Sequence, residues 1–146
     1  MGNEHNITAG CVFTNSDDVV MSSTSFSHFK GGAIFSIANE KQSHIIQDCE
    51  IKKCGLVGVY LQGVEAKQVV LRTKIDHVNG IGIRIHRGNR SKIKGCEINY
   101  CLNGIEVVSA DPIILMNHIK QNIENGIVTI AKDYLRCDST IKLNYI

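Results

Sequence analysis

The chain of 146 residues carries 16 basic and 14 acidic side chains, a net charge of +2, so no global pull toward nucleic acid or a membrane surface is expected. No apolar run approaches the ~18 residues of a membrane span. Isoleucine and valine dominate the apolar residues, Trp is absent and proline occurs once, a balance that favours β structure over helix.

Met1 to Asn6 shows no basic region followed by an apolar one, so no secretory leader is expected. Asn6 stands where a myristoylation pattern needs Ser or Thr. Without a leader, the six cysteines are expected as reduced thiols in a cytoplasmic protein. The sequons at Asn6 to Thr8 and Asn89 to Ser91 are then chance matches. Residues 1–19, with HNITAGCVF, form a weakly patterned N-terminal coil, and residues 20–146 are regular.

The regular part is a repeat. Phe26, Ile51, Ile75, Ile98 and Ile119 are equivalent, at steps of 25, 24, 23 and 21 residues. A glycine follows each: Gly32, Gly55, Gly80, Gly104 and Gly126. An alternating strand comes next: AIFSI, VGVYL, IGIRI, IEVV and IVTI. A third apolar cluster closes each unit: Ile45-Ile46, Val69-Val70, Ile93 and Ile113-Ile114. Asn79-Gly80, Asn103-Gly104 and Asn125-Gly126 suit a corner, because Gly takes positive φ freely and Asn is the next most tolerant residue. Polar insertions at 38–43 and 131–139 break the period, and such insertions often carry binding. A partial unit, STIKLNYI, ends the chain as a strand with no polar cap. Solenoids need capped ends, so the chain is expected to be a piece of a longer protein or to pair at its ends.

Three short period-two segments per 21–25 residues fit one coil of a parallel β-helix. A helical solenoid needs amphipathic runs of ten or more residues with a 3.6 period, and a leucine-rich repeat needs dominant leucine. The expected fold is all-β: one domain over 1–146, a single-stranded parallel β-helix of about six coils.

Cys49-x4-Cys54 and Cys96-x4-Cys101 resemble a four-thiolate zinc site. In the repeat frame they occupy two coil positions, two coils apart, with Thr73 and Val78 between. That is about 9.6 Å at the strand spacing, beyond disulfide reach, so buried small hydrophobes and no metal or cofactor are expected. If Ile81, Ile83 and Ile85 point inward, then Gly82, Arg84 and His86 point outward. Tyr60, Gln62, Arg84, His86 and Glu106 then form a flat wall floored by Gly58 and Gly82, able to hold a sugar or a peptide. Glycoside hydrolysis needs two carboxylates roughly 5–9.5 Å apart, and this wall offers only Glu106. Arg84 to Lys94 is basic, with Arg87, Arg90, Lys92 and Lys94 on a turn that could attract phosphate or an acidic partner. It lacks the aromatics of single-strand nucleic-acid binders, so nucleic acid is not an expected partner.

The NG-I-x-I and C-E-I-x-x-C units over Cys11 to Ile146 resemble right-handed parallel β-helices of the pectin-lyase-like superfamily. GVYLQGVEA, GIGIRIHR and NGIEVVSADP are similar to the carbohydrate-binding and sugar-hydrolase (CASH) repeats of F-box proteins and, most closely, of the Shc SH2-domain-binding protein group. The resemblance implies a right-handed coil and an intracellular scaffold in cell division, spindle or germ-cell function, with carbohydrate affinity as an additional expectation. The Asp clusters of the lyases and polygalacturonases have no counterpart here, so no catalytic residue carries over. The expected function is a non-catalytic, protein-binding scaffold. The alternative is a carbohydrate-binding or carbohydrate-active protein that uses Tyr60, Arg84 and Glu106.

Overall fold

The computed structural model describes residues 9–87, 89–132 and 135–146. The readings placed on residues 1–8, the leader and the first sequon, lie outside the described residues, as do Gly88 of the basic turn and positions 133–134 of the second insertion. Among the described residues there is no helix, and all strand pairs are parallel.

Seventeen strands, numbered in chain order, stack into three walls. Wall one holds β1 (Ala9–Thr14), β4 (Gly32–Ile37), β7 (Val57–Gln62), β10 (Ile81–His86), β13 (Asn103–Val108) and β16 (Asn125–Ile130). Wall two holds β2 (Asp18–Ser22), β5 (Ser43–Gln47), β8 (Val69–Leu71), β11 (Lys92–Lys94), β14 (Ile113–Leu115) and β17 (Thr140–Lys142). Wall three holds β3 (Ser25–Ser27), β6 (Glu50–Cys54), β9 (Lys74–Val78), β12 (Glu97–Asn99) and β15 (His118–Lys120). The chain thus makes five complete coils and part of a sixth, which Tyr145 extends by a bridge to His118.

The repeat frame holds at the isoleucines. Phe26, Ile51, Ile75, Ile98 and Ile119 are paired in register down wall three. Ile46, Val70, Ile93 and Ile114 do the same down wall two, and Ile34, Val59, Ile83 and Ile105 down wall one. All are buried and form one continuous core. Each buried Ile contributes about 1.5–3 kcal/mol relative to exposure, so the core is distributed evenly along the axis.

The glycine frame differs from the expectation. Ile81 pairs with Asn103, and Asn103 with Asn125. Gly82, Gly104 and Gly126 therefore share a column with Gly58, while Asn79-Gly80 sits two residues earlier. Gly58 and Gly82 do not floor the outer wall. A Cβ on Gly82 would lie 2.7 Å from Ile98 Cγ2 and 2.6 Å from the Gly104 carbonyl oxygen, so the missing side chain points into the core. Ile81 conversely joins the outer column, and Asn125 Nδ2 donates to Asn103 Oδ1 there at 2.9 Å.

Nor do the Asn-Gly glycines supply the left-handed corners. Lys53 and His77 near the ends of β6 and β9, and Tyr100 and Gln121 just after β12 and β15, take positive φ of 55°, 52°, 52° and 57°. Asp48, Arg72, Gly95 and Met116 do so after wall two, at 53°, 42°, 66° and 57°. A non-glycine residue costs roughly 1–2 kcal/mol there. Backbone hydrogen bonds between coils hold the conformation, as where Asp48 N donates to Leu71 O at 3.1 Å and Arg72 N to Lys94 O at 3.0 Å.

Inside two corners, polar side chains replace backbone partners. Asn117 Oδ1 accepts from Cys96 N at 2.9 Å, and its Nδ2 donates to Ile93 O at 3.1 Å. Asn144 Oδ1 accepts from Asn117 N at 2.9 Å. Asn122 Oδ1 likewise accepts from Cys101 N at 2.9 Å. The cysteines thus sit in columns with Thr73 and Asn117, and with Val78 and Asn122, as small side chains beneath these ladders.

Candidate functional site

Strands β7, β10 and β13 bring the five wall-one residues onto one patch. Tyr60, Arg84 and Glu106 are paired in register along one outward column, and Gln62 and His86 along the next. Tyr60 Oη donates to Gln62 Oε1 at 2.7 Å and lies 3.1 Å from His86 Nδ1. Arg84 Nε stands 3.0 Å from Glu106 Oε1, with the two side chains 37% and 11% exposed. The Nε–H is not directed at the carboxylate, so charge rather than a formed hydrogen bond holds that pair. Phe35 pairs with Tyr60 on the same column, a place that sequence reasoning did not give it, and packs on it with ring centroids 5.6 Å apart.

The surroundings tune two of these groups. Partial burial raises the Tyr60 hydroxyl above its ordinary pKa, against the lowering effect of Arg84 and Arg87. Burial, then Arg84, Arg87 and Lys132, push His86 below its ordinary value, and Glu106 only partly opposes them. The patch is thus a neutral imidazole and phenol beside an ion pair at neutral pH. Glu106 is the only carboxylate on the two outward columns of wall one, and Arg84 engages it. The arrangement suits recognition by stacking and hydrogen bonding, and it holds one carboxylate where glycoside hydrolysis uses two.

Behind the patch lies a buried polar chain that sequence reasoning missed. Ser36 Oγ is 2.8 Å from His44 Nδ1, whose Nε2 is 2.9 Å from Ser16 O. Gln68 Nε2 donates to Ser36 O at 2.7 Å and to Ser36 Oγ at 2.8 Å, and Gln68 Oε1 accepts from Asn89 Nδ2. Ser36, His44, Gln68 and Asn89 are fully buried. This Ser–His pair therefore meets no substrate, and it braces the corner from which Gln62 and His86 project.

The basic turn does not act as one patch. Arg90 Nε pairs with Glu65 Oε2 at 3.0 Å, an acid from the preceding coil that a linear reading does not place there. Arg87 occupies a left-handed corner at φ 58°. Lys92 and Lys94 leave the turn altogether and face outward on wall two, between β8 and β14. Among the described residues no group of three His, Cys, Asp or Glu side chains could hold a metal ion. Burial raises the Cys96 and Cys101 thiols to about 11, and Cys49 and Cys54 are equally enclosed.

Walls two and three contrast on their outer faces. Wall three presents Ser25, Glu50, Lys74, Glu97 and His118 in one column and Ser27, Lys52, Asp76, Asn99 and Lys120 in the other. That is a polar face without an aliphatic side chain. Wall two presents aliphatic residues as well as lysines. The signal was in the doublets Ile45-Ile46, Val69-Val70 and Ile113-Ile114. Along these short strands neighbouring side chains alternate between the two faces. Ile46, Val70 and Ile114 are fully buried, which turns Ile45, Val69 and Ile113 outward.

No match was found among curated proteins, and none among solved structures. A family description, right handed beta helix region, matches residues 9–145. That span covers nearly all of the three-walled stack, from β1 to the Tyr145 bridge. The coil is right-handed and parallel, and the chain belongs to the right-handed β-helix family.

Proposed function

We propose that this β-helix is a non-catalytic binding module, a stiff ladder of side-chain columns that a protein partner reads. One observation carries the reading. The polar groups of the wall-one patch are held by one another, Tyr60 with Gln62 and His86, Arg84 with Glu106. A patch pre-organised in this way loses little side-chain entropy on binding, and Tyr and Arg are the residues that most often anchor interfaces. The same patch lacks the second carboxylate that glycoside hydrolysis requires. An intracellular scaffold of the CASH-repeat kind, acting in cell division or germ-cell development and located in the cytoplasm or on the spindle, extends this proposal on the resemblance of the repeat units.

Carbohydrate binding is the second reading, favoured by the Phe35–Tyr60 aromatic pair beside Arg84 and Glu106. The two are separated by Tyr60→Ala and Arg84→Ala, probed against a glycan array and in protein capture. Specific capture that both substitutions abolish, with a blank array, supports the protein reading. Glycan binding abolished by the same substitutions supports the second. Capture and array signals that neither substitution changes would overturn the role of the patch.

A further inference from the structure

We propose that Asn79-Gly80 is a spontaneous modification site, where the asparagine deamidates through a cyclic imide, and that the isoaspartate formed there disturbs the strand carrying Arg84 and His86. The chemistry needs a free asparagine amide, a following nitrogen that can reach it, and a backbone able to turn between them. Glycine in second place removes the side chain that would shield that nitrogen. The dipeptide occurs three times, at Asn79-Gly80, Asn103-Gly104 and Asn125-Gly126, and the fold separates the three.

Asn79 and Gly80 form the corner between β9 and β10, outside either strand, and Asn79 is exposed. Among the described residues no hydrogen bond engages the Asn79 side chain, or the carbonyl and N–H of the peptide that joins it to Gly80. Backbone polar groups in a folded chain are nearly all paired, so this peptide is unusual in being free to turn. The points on either side are held. Asn79 N donates to Cys54 O at 3.0 Å, Gly80 O accepts from Leu102 N at 2.8 Å, and Ile81 N donates to Leu56 O at 3.0 Å.

The other two pairs are occupied. Asn103 opens β13 and is only 8% exposed, and Asn125 opens β16 in register with it. Asn125 Nδ2 donates to Asn103 Oδ1 at 2.9 Å, so each amide engages the other. Closing the imide ring also needs rotation about the asparagine Cα–C bond, and that rotation would pull either residue out of its ladder.

The reaction balances with water alone. Gly80 N attacks Asn79 Cγ, the new C–N bond forms, the Cγ–Nδ2 bond breaks, and ammonia leaves with the Gly80 amide proton. Water then opens the imide. Attack at Cγ gives aspartate, and attack at the main-chain carbonyl carbon gives isoaspartate, whose backbone runs through the side chain and is one methylene longer. Gly80 lies against the Leu56 carbonyl, which a Cβ there would meet, so the corner has no slack on that side. The extra length passes to Ile81, the first residue of β10, and along β10 to Arg84 and His86.

The test follows all three asparagines by peptide mapping while the protein stands in mildly alkaline buffer, with electron-transfer fragmentation to tell isoaspartate from aspartate. A second sample stands in urea. In the folded protein Asn79 is expected to deamidate at least tenfold faster than Asn103 or Asn125, and in urea the three rates should converge. Asn79→Gln, whose longer side chain does not close the same ring, should abolish the early product. The isoaspartyl form, separated by charge, is expected to melt below the parent, with amide shifts larger along β10 than along β16. Equal rates at Asn79 and at either other asparagine in the folded protein overturn the site. So does a difference that persists in urea, which would assign it to sequence and not to the fold. Unchanged melting and unchanged β10 shifts in the isoaspartyl form overturn the link to that strand.

Discussion

Gly82→Ala is a one-carbon test of how tightly the coils are stacked. The new Cβ would stand 2.6 Å from the Gly104 carbonyl oxygen and 2.7 Å from Ile98 Cγ2, with Cys101 Sγ at 3.4 Å. Two of these are well inside contact distance. The first belongs to the backbone of the next coil, which cannot swing aside as a side chain can. Relief requires β10 and β13 to separate, or Ile98 to leave its position in a column that is otherwise filled. Overpacking of this kind costs about 1–3 kcal/mol, and the backbone contact places it at the upper end. For a chain of this size that is a fall in Tm of roughly 6–12 °C. Gly95→Ala is the control. Its Cβ would find open space, with Arg72 Cγ at 3.6 Å, but its φ is +66°. It should lose only the roughly 1–2 kcal/mol of a left-handed alanine, a cost that Arg72 and Met116 already bear in the same column. Chemical denaturation of both variants measures the difference. A Gly82→Ala protein within about 0.5 kcal/mol of the parent, the ordinary scatter of surface substitutions, would refute the inward placement of this glycine column.

Asn117→Ala should cost about 2–6 kcal/mol in the same assay, because it leaves the Cys96 N–H and the Ile93 carbonyl buried without their side-chain partner at about 1–3 kcal/mol each. His86 should make stability fall on acidification. Its folded pKa lies below the ordinary 6.5, so the unfolded chain takes up the proton first. The contribution is therefore complete above about 6.5 and is lost as pH falls through that value toward the folded pKa. His86→Gln should remove that part of the slope, as measured by denaturation across the range. Alkylation at pH 8 followed by mass spectrometry should label the half-buried Cys11 and Cys137 well before Cys96 and Cys101, whose thiols are raised to about 11 by burial. Labelling of all six at one rate would contradict the packed columns.

The isoleucine columns were legible because inward-facing branched side chains recur once per coil. The glycine frame was not. Asn79-Gly80 repeats the letters of Asn103-Gly104 but stands two residues earlier in register, and the eye aligns letters before register. The corners were hidden for a different reason. A residue such as Asp48 or Arg72 is held in the left-handed region by hydrogen bonds to neighbouring coils, and local propensity carries no trace of that. The wall-one patch could be listed from strand alternation alone. Its internal bonding could not, because Tyr60 and His86 are 26 residues apart in sequence. The outward aliphatics of wall two were visible as doublets and were absorbed into the core, although neighbouring side chains alternate between faces along those strands. The Arg90–Glu65 pair needed the coil alignment before the basic turn could be seen to divide.

Every face described here depends on one register, and methyl NOE spectroscopy on isoleucine-labelled protein tests it most directly. Neighbouring coils lie about 4.8 Å apart and alternate coils about 9.6 Å. The stack predicts strong methyl contacts from Ile51 to Ile75, from Ile75 to Ile98 and from Ile98 to Ile119, with none from Ile51 to Ile98. Contacts from Ile51 to Ile98 that bypass Ile75, or a ladder displaced by one residue, would contradict the coil order and with it the placement of the proposed binding patch.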